Sequence, residues 1–232
     1  MKNVILIIIC ICFFVPLYAA DQVKLLSAPV DLDDKSSLQR GARNFINYCL
    51  NCHSTSYMRY NQLKLIGLSE DTIKKDLLFT ADKIGDPMDI SMQIENAKVW
   101  FGAAPPNLSV TARSRGADWI YSYLRGFYRD TSREMGWNNS VYENSAMPHI
   151  LWELQGEQFY DATSNSLTLQ KNGLLSPEEY DQFIGDITNF MVFVSEPNQQ
   201  KRKQIGYYVL AFLSLLLVLV INLKKEYWKN IK

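Results

Sequence analysis

Apolar residues crowd the two ends of the chain, and the run at the N-terminus is the shorter of the two. Residues 4–17 are almost all apolar, with Lys2 before them and the small residues Ala19 and Ala20 after them. A basic start, a short apolar run and small residues ahead of a polar chain are typical of a secretory signal peptide. We therefore predict that residues 1–20 are a signal peptide; the alternative is an uncleaved N-terminal anchor.

The apolar run near the C-terminus is long enough to cross a bilayer. Ile205 to Leu223 are 19 residues without a charge, about 28 Å of helix, which matches the hydrocarbon core of a membrane. Basic residues flank this run on both sides, so the flanking charges alone do not orient it. If the signal peptide exports residues 21–200, the basic tail at 224–232 stays in the cytoplasm. The alternative is a buried core helix.

Between the two ends, hydrophobic periodicity predicts three helices. The first follows Ser36 and carries apolar residues at helical spacing up to Cys49. The second follows Asp118 and ends near Gly126. The third has the clearest start, because residues 176–179 supply a capping serine, a first-turn proline and a capping-box glutamate.

Long segments rich in Gly, Pro and Asn connect these helices, at residues 82–92, 102–107 and 136–148. The sequence has no long alternating pattern of the kind that predicts strands. We therefore predict a mainly α domain over residues 21–200, in which a large buried cofactor orders the long loops.

Charge is balanced over the whole chain but not within the predicted exported domain. The 232 residues, 47% of them hydrophobic, include 24 basic and 24 acidic side chains, and no basic block lies among aromatic residues in the middle. These features argue against a nucleic-acid-binding protein.

The predicted exported domain is acidic. Residues 21–200 contain 16 basic and 23 acidic side chains, a net charge of −7. This charge either attracts a basic partner or is a solvated surface.

Two cysteines remain once the predicted signal peptide, which contains Cys10 and Cys12, is set aside. Cys49 and Cys52 lie in Cys-Leu-Asn-Cys-His, which ends at His53 and has the C-x-x-C-H spacing of c-type haem attachment. The two thiols can bond both vinyl groups of one porphyrin, and the adjacent imidazole can ligate the iron.

Three other uses of these cysteines fit the sequence less well than haem attachment. A structural disulfide between Cys49 and Cys52 would use both cysteines and leave the domain without any other covalent cross-link. A zinc site would need His149 as its fourth ligand, and adjacent Cys52 and His53 fit one tetrahedral metal poorly. A thioredoxin-like redox pair would need a βαβ unit around it, which the sequence does not suggest.

The residues alone leave the second axial ligand open. Met147 is a candidate because Pro148 after it favours an extended loop that could present a thioether. His149 is the rival, since bis-histidine ligation lowers the reduction potential and His/Met ligation raises it. Met58 is too close to His53 to reach the opposite haem face easily, and Met191 belongs by its helical position to the core. The remaining methionines are Met88, Met92 and Met135.

Four segments, in order along the chain, resemble the cytochrome c1 family in its proteobacterial form. They are residues 41–60 around C-x-x-C-H, 100–109 (WFGAAPPNLS), 136–139 (GWNN) and 146–149 (AMPH). The resemblance implies a class I cytochrome c-like haem domain with one C-terminal transmembrane helix. It also implies one covalent haem c, in the c-haem subunit of ubiquinol:cytochrome c oxidoreductase.

The resemblance also implies roles for individual residues. Cys49 and Cys52 would carry the thioether bonds, and His53 and Met147 would be the proximal and distal iron ligands. Arg115 would meet a haem propionate, although it could instead be an ordinary surface arginine. Trp119 stands where many members have a tyrosine near a propionate. Pro105 and Pro106 would pack by the haem edge.

The family's function implies partners and a location. The chain would take one electron from the Rieske iron–sulfur protein, beside cytochrome b, and pass it to a soluble c-type cytochrome. It would lie in a bacterial inner membrane with its haem domain in the periplasm, and it would carry out no quinol chemistry itself. The alternatives are a free-standing membrane-anchored cytochrome that feeds a terminal oxidase or reductase, and a haem-based ligand sensor or peroxidase.

Overall fold

A computed structural model describes residues 24–90 and 92–230; the predicted signal peptide lies outside this range. Its helices are α1 (Lys35–Tyr48), α2 (Glu70–Asp76), α3 (Ile94–Phe101), α4 (Thr111–Arg115), α5 (Ala117–Arg125), α6 (Trp152–Gln155), α7 (Pro177–Ser195) and α8 (Gln199–Tyr227), with a 3-10 helix at Tyr60–Ile66. Its strands are β1 (Thr55–Arg59), β2 (Pro87–Met88), β3 (Phe127–Arg129), β4 (Trp137–Asn139), β5 (Gly156–Asp161) and β6 (Ser166–Asn172). They pair as three separate antiparallel sheets, β1–β2, β3–β4 and β5–β6.

The predicted mainly α fold is confirmed, and so are the three helices that periodicity predicted. Helix α1 ends at Tyr48 with Cys49 as its C-cap, and α5 lies between Gly116 and Gly126. Helix α7 begins with the predicted capping box, in which Ser176 accepts from the backbone N–H of Glu179 and the Glu179 carboxylate accepts in return. The start signal was correct for α7; α1 begins earlier, at Lys35 after the N-cap Asp34, and α5 begins at Ala117, one residue before Asp118.

The hydrophobic core forms where α1 crosses α7, with α5 and the 3-10 helix against them. Leu38, Ala42, Phe45 and Ile46 make the buried face of α1. At the crossing the two backbones come close at Gly41, where a Cβ would lie 2.0 Å from the carbonyl oxygen of Asp186. This contact fixes how closely α1 packs on α7, and the C-x-x-C-H segment continues from the end of α1.

We expect Gly41→Ala to lower the free energy of unfolding by roughly 1–3 kcal/mol, because the added methyl forces α1 and α7 apart. The control is Gly85→Ala, where no heavy atom lies within 4 Å of the new Cβ. Thermal unfolding of each membrane-bound variant, monitored by the loss of a spectral signal of tertiary structure, gives the two melting temperatures. Equal melting temperatures for the two variants would contradict the close helix crossing.

The β5–β6 hairpin was not predicted from the sequence. Its strands pair from Gly156 with Asn172 to Asp161 with Ser166. Nearly every residue of β6 is exposed, and its apolar alternation is confined to Leu167 and Leu169, so the signal for a half-buried strand is weak. Short strands also lie in two segments that were expected to be loops, with β2 in residues 82–92 and β4 in 136–148.

The predicted apolar helix near the C-terminus is confirmed as α8, which extends beyond the uncharged run 205–223 at both ends. No residue of α8 is buried against the rest of the chain, which argues against a core helix. Among the described residues it is the one helix long and apolar enough to cross a membrane. The chain thus has a candidate single-pass anchor.

Candidate haem site

A cavity of about 510 Å³ opens beside the end of α1, a size typical of cofactor pockets. Most of its wall is apolar, including Phe101, Leu108, Ile120 and Ile150. All six predicted site residues line it, and these are Cys49, Cys52, His53, Pro106, Arg115 and Met147. The fold therefore brings residues almost 100 positions apart in sequence to one pocket.

The C-x-x-C-H segment is wound into a turn by its own backbone. The carbonyl oxygen of Cys49 accepts from the N–H groups of both Cys52 (3.1 Å) and His53 (2.9 Å). Both cysteines and the histidine line the same cavity. This turn places two thiols and an imidazole in the arrangement that attachment and ligation of a haem require.

The His53 ring is held by the loop that follows α3. Its Nδ1 lies 2.9 Å from the carbonyl oxygen of Pro106, which fixes Nδ1 as the protonated donor and leaves Nε2 for a metal. The loop is anchored in turn, because the N–H of Leu108 donates to the carbonyl of Ser54 at 2.8 Å. Burial lowers the pKa of His53, which favours the neutral imidazole that ligates iron.

The two cysteines form no disulfide with each other; both are free thiols in the structure. Burial raises the pKa of Cys49 to about 12 and also raises the pKa of Cys52, so neither is a thiolate at neutral pH. In the described part of the chain, no three His, Cys, Asp or Glu side chains are grouped as a metal site would need. The disulfide and zinc alternatives therefore find no support in the geometry.

Of the candidates for the second axial ligand, Met147 and Met191 line the cavity. Met191 was expected only in the core; it is buried there and also reaches the cavity wall. Met58 and Met88 are fully buried elsewhere in the core. The rival His149 is not a wall residue; its ring stacks on Phe127 with centroids 4.8 Å apart.

Burial lowers the pKa of His149 to about 3, so this ring is neutral at physiological pH. It also meets the edge of Trp137, with centroids 4.9 Å apart. The ring therefore packs as an aromatic side chain between Phe127 and Trp137.

Arg115 lies at the end of α4, exposed at the rim of the cavity. Its guanidinium is 5.1 Å from the centre of the Trp119 ring, and Trp119 stacks on Tyr123 with centroids 4.9 Å apart. No carboxylate in the described part of the chain lies within 4 Å of Arg115, so its charge is available to an acidic group in the cavity. Trp119 can offer one N–H donor but no hydroxyl.

The comparisons with known proteins agree with this geometry. The Cytochrome C1 family matches residues 26–231. The chain belongs to the cytochrome c1 family. Cytochrome c1 of Allochromatium vinosum is 45% identical over 218 residues, covering 89% of each chain. A protein of Nitrosomonas europaea named ammonia monooxygenase gamma subunit is 47% identical over 231 residues, covering 100% of this chain and 99% of its own.

A chain of a solved structure, a hyperthermophilic respiratory complex III, aligns with a TM-score of 0.48 at 17% identity over 100% of this chain and 98% of that chain. The family match and the Allochromatium relative carry the assignment. Membership of the cytochrome c1 family implies a covalently bound haem c, and the residues present fit that group. The apolar walls, the two free thiols and the imidazole with a free Nε2 are what it needs.

Sequence reasoning did not single out several cavity residues, notably Ser145, Ala104 and Tyr123. Tyr123 could have been found, because it follows Trp119 by one turn in the aromatic-rich helix α5 and so shares its face. Ser145 had no such signal, since its place depends on how the loop from β4 folds back onto α5.

Proposed function

We propose that this chain is the haem-bearing electron-transfer subunit of a cytochrome bc complex. It takes one electron from a Rieske iron–sulfur protein and passes it to a soluble c-type cytochrome. The observation that carries the proposal is the single cavity that joins Cys49, Cys52 and His53 to Met147, within a chain of the cytochrome c1 family.

Haem c supplies a one-electron carrier when it is bound. Cys49 and Cys52 would hold it through thioether bonds, and His53 and Met147 would ligate its iron. The Pro106 carbonyl, 2.9 Å from Nδ1 of His53, keeps the imidazole in the ligating tautomer. The apolar walls would exclude water and Met147 would add a soft ligand, and both would raise the potential. Arg115 would neutralise a propionate at the rim.

The two apolar ends of the chain support a place for it in the membrane as part of this proposal. Residues 1–20 act as a signal peptide, the haem domain at 21–200 lies in the periplasm, and the helix over 205–223 anchors it. The tail at 224–232 remains in the cytoplasm of a bacterium. The quinol chemistry belongs to cytochrome b and the Rieske protein, so this subunit is a carrier within the enzyme.

Purification from native membranes through a tag on the C-terminal tail tests this assembly. Cytochrome b and a Rieske protein are expected to co-purify with the chain in mild detergent. Isolation of the chain alone, with its haem intact, would favour the free-standing cytochrome. The Nitrosomonas relative is named as a subunit of ammonia monooxygenase, which suggests a different assembly. Recovery of other monooxygenase subunits with the chain would favour that monooxygenase assembly.

Carbon monoxide distinguishes the carrier from a ligand sensor or peroxidase. Ligation by both His53 and Met147 would leave no position for carbon monoxide, so the spectrum of the reduced protein is expected to be unchanged by it. A rapid spectral shift at low carbon monoxide concentration would show an open site and contradict the carrier role.

We expect oxidation of the haem by a basic soluble cytochrome to slow as ionic strength rises. The exported segment carries a net charge of −7, and such long-range attraction is screened by salt. Stopped-flow rates between low and physiological salt measure the effect, with an uncharged oxidant as the control. A salt-independent rate with the basic cytochrome would mean that the acidic residues are only a solvated surface.

A further inference from the structure

The loop that carries Met147 is held by side chains. Between Asn139, at the end of β4, and Trp152, at the start of α6, the chain has no regular secondary structure. The side chains of two buried asparagines hold the first half of the loop by hydrogen bonds to its backbone. Asn138 accepts from the backbone N–H of Asn144 at 2.8 Å, and Asn139 accepts from those of Val141 (2.9 Å) and Tyr142 (3.1 Å).

The same loop is hydrogen-bonded to α5 through Tyr123, by two contacts. The side-chain amide of Asn139 donates to the Tyr123 carbonyl at 2.8 Å. The Tyr123 hydroxyl lies 2.6 Å from the hydroxyl of Ser145. Ser145, which is 8% exposed, in turn accepts from the N–H of Met147 at 3.3 Å. A continuous path of hydrogen bonds therefore runs from α5 to the backbone of Met147.

This path matters because a methionine thioether is a weak, neutral ligand. Its bond to iron can be lost whenever the loop moves away, so the loop's own stability decides how often the sixth position opens. The asparagines fix residues 139–144, and Ser145 fixes the last step before Met147.

We propose that Tyr123 and Ser145 are positioning residues for Met147: their paired hydroxyls hold the ligand loop closed over the haem. The proposal rests on the proposed function, in which Met147 is an axial ligand. Neither hydroxyl needs to touch the iron, because both act through the backbone of Met147. The loss of either shifts the loop toward an open state in which the sixth position accepts an external ligand.

Imidazole binding to the oxidised haem measures this opening, because imidazole must displace Met147. A neutral hydrogen bond is worth enough to shift such an equilibrium about fivefold. We therefore expect Tyr123→Phe and Ser145→Ala each to bind imidazole about fivefold more tightly than the wild type. Because the two hydroxyls act as a unit, the double variant is expected to match Ser145→Ala alone. Spectral titrations of the full chain in detergent give these affinities.

Tyr60→Phe is the matched control. Tyr60 is fully buried, and its hydroxyl lies 2.9 Å from that of Thr80, outside the cavity wall. Its variant is expected to lose stability with no change in imidazole affinity. Equal tightening in Tyr60→Phe and Tyr123→Phe would mean general loosening of the domain and would overturn the proposal.

Met147→Leu separates this inference from the ligand assignment on which it rests. It is expected to bind imidazole much more tightly than any hydroxyl variant, and adding Tyr123→Phe is expected to change nothing further. If Met147→Leu binds tightly while Tyr123→Phe and Ser145→Ala match the wild type, the positioning role is wrong and the ligation stands. If Met147→Leu itself matches the wild type, the ligand assignment fails, and the inference fails with it.

Discussion

Replacing Met147 by leucine is expected to lower the midpoint reduction potential of the haem by roughly a few hundred millivolts. The thioether favours the reduced iron, and leucine has a similar volume but no donor atom. A redox titration of membranes, followed by the reduced-minus-oxidised spectrum, measures the shift. The haem is expected to remain attached, because Cys49 and Cys52 are unchanged.

Met191→Leu is the control for this prediction. Met191 is the other methionine on the cavity wall, and it lies in the core on α7. Its replacement by leucine conserves volume and is expected to shift the potential only slightly. A large fall in the reduction potential of Met191→Leu, together with no change in that of Met147→Leu, would identify Met191 on α7 as the ligand instead.

The second large effect is expected from the two thiols. The double variant Cys49→Ser, Cys52→Ser is expected to hold no covalent haem, since serine forms no thioether with a vinyl group. Each single variant keeps one bond and is expected to show a shifted haem spectrum. Haem staining after denaturing electrophoresis measures attachment directly. We also expect the double variant to be degraded, because a cavity of about 510 Å³ would be left without its cofactor.

Cys10→Ser and Cys12→Ser are the matched controls, because both cysteines lie in the predicted signal peptide. They are expected to leave attachment unchanged. Covalent haem that survives in the Cys49, Cys52 double variant would contradict the attachment site. Loss of attachment in the Cys10 or Cys12 variant would contradict removal of residues 1–20.

Local signals in the sequence predicted the elements whose causes are local. The capping box at Ser176 and Glu179 placed the start of α7, and apolar spacing placed α1 and its end at Cys49. The C-x-x-C-H motif is likewise local, since five consecutive residues wind one turn around the Cys49 carbonyl.

Features that depend on distant partners could not be predicted in the same way. The hydrogen bond from His53 to Pro106 joins residues 53 apart, and no pattern in either segment encodes it. Sequence reasoning left Met147 and His149 as rivals, although they are two residues apart. In the structure His149 packs on Phe127 and Met147 lines the cavity, which favours Met147; the ligation itself stays a prediction. The β5–β6 hairpin was missed because its alternation is short, with only Leu167 and Leu169 as apolar positions in β6, and most of β6 is exposed.

Reduction of this haem by quinol, in the assembly purified through this chain, is the most direct test of the proposed function. The oxidised assembly is mixed with a ubiquinol analogue, and the absorbance of the c-type haem is followed in time. We predict that quinol reduces the haem and that Met147→Leu, with its lowered potential, is reduced far less. A haem that dithionite reduces but quinol does not, in an assembly that contains cytochrome b and a Rieske protein, would contradict the proposed electron path.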